Sequence, residues 1–291
     1  MIITDKQLDQ WQQEGYLILP DYLNDEEITA ARSRITEIIS EFDMSQVSIF
    51  STTEQTRTSD EYFIDSGDKV RCFFEEDAFD ETGNLVNPLE LSINKVGHAL
   101  HDLDKVFQQI SYKPELVSIC SRIGMRDPLM VQSQYIFKQP GIGGEVAAHK
   151  DSTFIYTDPL SCTGFWMALE DASQENGCLM AIPGSHLENG SGQVPAEDYR
   201  FIRSEDGQST SFVGEPESAW DLSRMVPLEA KSGSLVILHG SLVHMSSSNH
   251  SAKSRHAYIL HLVESEAHWP KDNWLQRPSH LPFKHLFHES N

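Results

Sequence analysis

Pro128-Leu-Met-Val-Gln-Ser-Gln-Tyr-Ile-Phe-Lys138 opens on an apolar run and then alternates polar with apolar side chains. Successive side chains on a strand point to opposite faces, so this stretch reads as a β-strand entering a core. Outward from it, Gly164-Phe-Trp-Met-Ala-Leu169, Gly177-Cys-Leu-Met-Ala-Ile182, Gly233-Ser-Leu-Val-Ile-Leu238, Ser241-Leu-Val-His-Met245 and His256-Ala-Tyr-Ile-Leu-His-Leu-Val263 read the same way. Gly, Pro, Asn or Asp separates most of these segments. No helical period lies between them, which argues against βαβ units. Short strands with long, variable connections predict a double-sheet jelly roll: mainly β, with flanking helices.

The helices belong to the N-terminal part. Thr4 with Gln7, and Asn24 with Glu27, have the spacing of capping boxes. Leu8 and Trp11 give the first helix an apolar side, Gly15 stops it, and Tyr16-Leu-Ile-Leu-Pro20 reads as a short buried strand. Ile28, Ala31, Ile35, Ile38, Ile39 and Phe42 recur at steps of three and four, so the second helix buries one face. Residues 89–125 read as mostly helical. Residues 45–68 lack a sustained period and read as a surface segment able to act as a lid. Residues 187–225 read as a polar insertion between strands that could cover a site. The expectation is one domain over 1–291: a helical layer to about 125, a β core over about 126–265, and a C-terminal tail.

Asp and Glu number 44 against 22 Lys and Arg, a formal charge of −22. Such an excess repels nucleic acid and anionic membranes at long range, so neither is expected as a partner. Cys72, Cys120, Cys162 and Cys178 form no CxxC pair, and no stretch reaches the apolar length of a membrane span. Met1-Ile-Ile-Thr-Asp-Lys6 has neither a basic n-region nor an apolar h-region. A reduced, cytoplasmic protein follows as the expectation, with the oligomeric state left open.

Thirteen histidines stand in this acidic chain. His149-Lys150-Asp151 follows the Gly141-Ile-Gly-Gly144 turn. Residues two apart on a strand share a face, so His149 and Asp151 can meet one ion. A third ligand is needed, for which His239, His244 and His250 compete. His244 lies in the apolar Leu242-Val-His-Met245, and Arg255 follows eleven positions later. Its guanidinium can reach back to hold the far carboxylate of a bidentate ligand, through a fork Lys cannot match. His244 is therefore favoured. Two imidazoles and a carboxylate leave about three positions of an octahedral ion open, the layout of non-haem Fe(II) oxygenases. Among the other histidines, His98, His101 and His186 read as structural, and His250, His256, His268, His280, His285 and His288 as surface residues.

Around this pattern the sequence resembles the phytanoyl-CoA dioxygenase family along nearly its whole length. The likeness runs through Asp60-Glu-Tyr-Phe63, Ser66-Gly-Asp-Lys-Val70, Ser92-Ile-Asn-Lys-Val-Gly-His-Ala-Leu-His101, Tyr135-Ile-Phe-Lys-Gln-Pro140, Gly143-Gly-Glu-Val146, Glu175-Asn-Gly-Cys178, Ile182-Pro-Gly-Ser-His186 and Asn273-Trp-Leu-Gln276. It includes the His244 to Arg255 spacing. The resemblance implies a cupin-like double-stranded β-helix using Fe(II), 2-oxoglutarate and O₂ on a small-molecule substrate. By motif, His149, Asp151 and His244 would bind the iron, and Arg255 would pair with the far carboxylate of 2-oxoglutarate. Lys95, Trp166, Lys253 and Gln134 align with further cosubstrate contacts. Asp151 argues against the family's halogenases, which put a small residue at that position. The implied reaction is C–H hydroxylation with release of succinate and CO₂. Two rivals stay open: a sensor of iron, oxygen or 2-oxoglutarate without productive hydroxylation, and a Zn²⁺ hydrolase, in which Arg255 has no role.

Overall fold

The computed structural model describes residues 3–50, 60–187, 199–215 and 220–287. The chain begins with α1 (Asp5–Glu14), β1 (Tyr16–Leu19), α2 (Asp25–Ser40), α3 (Glu61–Ile64), β2 (Val70–Phe74) and β3 (Ile93–His98). Next come α4 (Leu100–Leu103), α5 (Lys105–Ser111), α6 (Pro114–Ile123), β4 (Pro128–Ile136), β5 (Val146–His149), α7 (Asp151–Phe154) and β6 (Thr163–Ala168). The rest is β7 (Leu179–Ala181), β8 (Arg200–Arg203), β9 (Thr210–Val213), β10 (Val226–Leu228), β11 (Leu235–His239), β12 (His244–Ser246), β13 (Ala257–Glu264) and β14 (Lys284–His285).

Both N-terminal capping boxes form, each with reciprocal side-chain and backbone bonds, and Gly15 ends α1 at φ +79°. That left-handed turn needs a residue without a Cβ. The chain then enters β1, which joins β11 at the rim of an eight-stranded sheet ordered β1-β11-β6-β13-β4-β3-β2, with β14 also on β4. A second sheet runs β10-β7-β12-β5. All pairings within the two sheets are antiparallel, as a jelly roll requires.

The large sheet is buried on both faces, and its residues sort with a period of two. Phe165, Met167, Leu235, Ile237, Tyr258 and Leu260 pack against the helical layer. Trp166, Ala168, Val236, Leu238 and Ala257 face the smaller sheet and meet Leu179, Ala181 and Leu228 there. A slot between two sheets, closed by helices behind one of them, is the setting for the site.

Three expectations need correction. Residues 89–125 are mostly helical, through α4, α5 and α6, but Ile93–His98 is a strand between β2 and β4. Residues 187–225 carry the hairpin β8–β9, whose Phe201 is buried, so this segment is not simply a polar loop. Within 45–68, Asp60 caps α3 and Phe63 and Ile64 are buried. The central part of the suggested lid, residues 51–59, lies outside the described residues, as do 188–198 and 216–219 of the insertion. Among the described residues no helix is long and apolar enough to cross a membrane. The four cysteines are buried and unpaired.

The C-terminal segment is tied down by one buried carboxylate. Asp102 receives Arg277 Nη1 and Lys284 Nζ, each at 2.9 Å, and His101 Nε2 at 3.1 Å. Burial alone would raise this carboxyl, but His101, Lys284 and Arg277 hold it well below the usual range. A depressed folded value means the contribution is complete above the unfolded pKa of about 3.9 and is lost as pH falls through the folded value. Asp102→Asn leaves the buried Arg277 without its anion and is expected to cost about 3–5 kcal/mol. Urea unfolding at neutral pH checks this, and the wild-type advantage should fade in acid.

Candidate active site

The slot between the sheets holds a cavity of about 600 Å³. Strand pairing brings the first two candidate ligands together. His244 on β12 sits opposite His149 at the end of β5, with ring centroids 4.3 Å apart. Asp151 does not share a strand with His149, as the spacing argument assumed. β5 ends at His149, and Asp151 is the first residue of α7, so the turn into that helix swings the carboxylate back. Asp151 Oδ1 then lies 3.6 Å from Nε2 of each histidine, and one donor atom from each residue falls within 4.8 Å of the others.

The imidazoles are oriented by the backbone. His149 Nδ1 lies 2.8 Å from the Ala147 carbonyl and His244 Nδ1 2.9 Å from the Leu242 carbonyl. Carbonyls only accept, so each Nδ1 carries the proton and each Nε2 presents a lone pair to the shared point. That is the arrangement a metal-ligating histidine needs. Burial raises the Asp151 carboxyl, but His244, His261 and His149 outweigh it and hold it well below the ordinary range. Burial pushes His244 down to about 4, against the pull of Asp151. An ionised carboxylate and a neutral imidazole at neutral pH are the protonation states a divalent ion requires. The donor set therefore fits Fe(II).

His261 is a residue that sequence reasoning missed. Its Nε2 lies 3.4 Å from Asp151 Oδ2, the oxygen turned away from the other two histidines. It restrains the carboxylate so that Oδ1 faces the centre. Gly164 makes room for it: a Cβ there would stand 2.8 Å from Asp151 Oδ2. Gly164→Ala is therefore expected to weaken divalent-metal affinity by about 10–100-fold although no ligand is replaced. A Mn²⁺ titration of the variant checks this.

Arg255 reaches the cavity from just before β13. Its backbone exchanges both hydrogen bonds with Lys138 at 3.1 Å, so the ladder between β13 and β4 continues to this pair. The side chain is 2% exposed, its Nη1 donates to the Gly177 carbonyl at 3.0 Å, and Cζ lies 5.3 Å from the centre of the Trp166 ring. Its Nε has no partner, and no carboxylate among the described residues pairs with it. Burial lowers it to about 10, so it remains a cation at neutral pH.

Lys95, Trp166 and Gln134 also line the cavity. Lys95 is not on a helix, although it falls in the stretch read as mostly helical. It lies on β3, is 5% exposed, and holds Nζ 3.2 Å above the Phe50 ring, with burial pulling its pKa well down. Gln134 Nε2 donates to Gln132 Oε1 at 3.0 Å. Lys253 does not join them: it is exposed and outside the cavity lining. The competing histidines separate clearly. His250 is exposed, whereas His239 packs at 4.9 Å on His186, away from the cavity lining. His256 is not a surface residue. Its ring is half-buried and edge-on to Tyr135 and Phe137.

A jelly roll with two histidines and one carboxylate converging in an open cavity has the form of a non-haem Fe(II) oxygenase. Comparison with known proteins narrows this. The family model described as phytanoyl-CoA dioxygenase matches residues 11–257. "Phytanoyl-CoA dioxygenase" of Arabidopsis thaliana is 49% identical over 276 residues, 94% of each chain. "Phytanoyl-CoA dioxygenase domain-containing protein 1" of Mus musculus is 45% identical over 295 residues, 98% of this chain and 99% of that one. Among solved structures, EctD from S. alaskensis with bound Fe aligns with TM-score 0.62 at 16% identity, covering 95% of this chain and 82% of that one. The carbocyclase SnoK from nogalamycin biosynthesis aligns with TM-score 0.61 at 18% identity, covering 91% and 85%. The chain belongs to the phytanoyl-CoA dioxygenase family. It is a non-haem Fe(II)/2-oxoglutarate-dependent dioxygenase.

Proposed function

We propose that this chain works as one domain that hydroxylates a C–H bond of a small organic substrate while 2-oxoglutarate is converted to succinate and CO₂. His149, Asp151 and His244 hold Fe(II). Arg255 binds the far carboxylate of 2-oxoglutarate against Trp166, and Lys95 and Gln134 complete the cosubstrate wall. Bound there, the iron supplies the oxidising chemistry. The protein supplies everything else. Nδ1 bonds to Ala147 and Leu242 keep both imidazoles in the ligating tautomer, and His261 holds the second oxygen of Asp151. The aromatic walls keep bulk water from the reacting carbon.

The observation that carries this reading is the convergence of two bare Nε2 atoms and one carboxylate oxygen at the end of a cavity that also contains a buried Arg without an acidic partner. A hydrolytic zinc site would leave that Arg without a task. The acidic surface supports a small-molecule substrate over a nucleic acid, and four buried free thiols suit a cytoplasmic setting. The test is anaerobic addition of Fe(II) and 2-oxoglutarate. A visible charge-transfer band that requires both, followed in air by succinate and a hydroxylated product from a metabolite panel, is the expected result. Absence of the band sinks the reading. Succinate without any hydroxylated product would favour a sensor.

A further inference from the structure

Part of the cavity is walled by aromatic rings from separate parts of the chain: Phe63 of α3, Phe154 of α7, Phe201 and Phe212 of the β8–β9 hairpin, and Trp274. Phe63 stacks on Trp274 at 4.7 Å, and Phe154 meets Phe201 and Phe212 at 5.6 and 5.9 Å. Two buried polar atoms on lining residues of the cavity have no partner: His98 Nε2 and Trp274 Nε1. His98 is 0% and Trp274 3% exposed, and their rings touch edge to face at 5.2 Å.

The protonation of His98 follows from its other neighbour. Ser66 Oγ lies 2.5 Å from the Phe63 carbonyl oxygen and 2.7 Å from His98 Nδ1. Two oxygens that close must share a proton, and the only one available is the Ser66 hydroxyl hydrogen. Ser66 therefore donates to Phe63 and accepts from His98, which places a hydrogen on Nδ1. Burial, with the positive charges of Lys95 and Arg277 nearby, pushes the His98 pKa well down, so the ring is neutral. Nε2 is then a bare acceptor. The Trp274 indole N–H is a donor only.

We infer that His98 Nε2 and Trp274 Nε1–H form the substrate-orienting pair of this enzyme, and that its substrate carries a hydroxyl on or beside an apolar ring. A hydroxyl can donate to Nε2 and accept from the indole with one oxygen, satisfying two buried groups whose isolation is costly. The flat walls of Phe63, Phe201 and Phe212 select a ring over a flexible polar chain. His98 acts as a specificity residue, and Ser66 positions it by fixing its tautomer. The inference rests on the cavity being the oxygenase's substrate chamber, but its test reads the imidazole and not turnover.

The test uses the full chain with ¹⁵N-labelled histidine, loaded with Zn²⁺ and 2-oxoglutarate, and repeated without metal. The probes are phenol and its methyl ether anisole, which differ by the donor hydrogen. Before any probe, His98 should show the Nδ1–H tautomer in long-range ¹H–¹⁵N spectra. Phenol should shift the Nε2 resonance and bind about 3–10-fold tighter than anisole. Ser66→Ala should populate the Nε2–H tautomer and bring the two affinities within about twofold. His98→Phe, which keeps the ring packing, should erase the preference. If that variant does not fold, the wild-type tautomer and Ser66→Ala still decide. A protonated Nε2 in the free protein, equal affinities, or phenol leaving Nε2 unshifted overturns the inference. Because the metal-free chain is measured in parallel, failure of the iron-site reading would show separately, as absence of metal binding.

Discussion

Asp151→Ala is expected to lose Fe(II) binding by more than about 100-fold and to abolish succinate formation. Displacing a residue that merely supports a ligand typically costs 10–100-fold in metal affinity, and here a ligand itself is removed. The loss is larger than a simple count of three ligands suggests, because Asp151 supplies the only negative charge in the donor set. Without it, two neutral imidazoles face a divalent ion in a buried pocket, where an uncompensated charge is expensive. His261 would also lose its partner at 3.4 Å. Asp151→Glu is a sharper variant of the same test. It keeps the charge but lengthens the side chain, in a place where Gly164 leaves no slack: even one added carbon there would stand 2.8 Å from the carboxylate. Isothermal titration with Mn²⁺ and the anaerobic charge-transfer band measure both variants. Retained metal affinity in Asp151→Ala would remove Asp151 from the ligand set.

The three candidate ligands can be read from sequence because each sits in a distinctive local setting, and because Arg255 singles out His244 among three rivals. The pairing of His149 with Asp151 nevertheless departs from the strand alternation that their spacing implies. The spacing works through a strand end followed by a helical turn, and not through alternation along one strand. His261 was within reach of the same logic. Arg255, Ala257, Ile259 and His261 follow at steps of two, and Arg255, Ile259 and His261 all line the cavity. Extending the shared face by two more steps would have found it, before the bulge at His261 and Leu262 shifts the register.

Strand β3 was hidden for a physical reason. Ile93-Asn-Lys-Val-Gly-His98 lies inside the large sheet and is covered on both faces, so it lacks the alternation that marks a half-exposed strand. The neighbouring helices then dominate the pattern. With the strand missed, Lys95 falls in a stretch read as helical, whereas it lies on β3 with its ammonium over an aromatic ring inside the cavity. The β8–β9 hairpin escaped notice because its strands are four residues each and β8 is half charged, while Phe201 and Phe212 serve the cavity instead of the main core. In each case the obscured element is one whose residues answer to the site more than to a simple inside-outside pattern.

Arg255 offers the second large effect, and one with opposite signs in binding and stability. Its guanidinium is buried, cationic and unmatched by any carboxylate among the described residues, with only the Gly177 carbonyl accepting from Nη1. A charge in that position is destabilising until an anion arrives. Arg255→Met keeps much of the volume and removes the charge. It is expected to raise the KM for 2-oxoglutarate by about 10–100-fold, since a charge-assisted hydrogen bond contributes about 1.5–3 kcal/mol and tenfold corresponds to 1.4. The same variant should unfold at higher denaturant concentration than wild type in the absence of cosubstrate, by on the order of 1–4 kcal/mol. Arg255→Lys retains charge but loses the planar fork and its contact with Trp166, so its KM should fall between the two. Discrimination is the most direct readout. Wild type should favour 2-oxoglutarate strongly over 2-oxobutyrate, which lacks the far carboxylate, and Arg255→Met should lose most of that preference. If the preference survives, the far carboxylate is held elsewhere. If Arg255→Met is less stable than wild type, the guanidinium is a structural ion and not a receptor awaiting its anion.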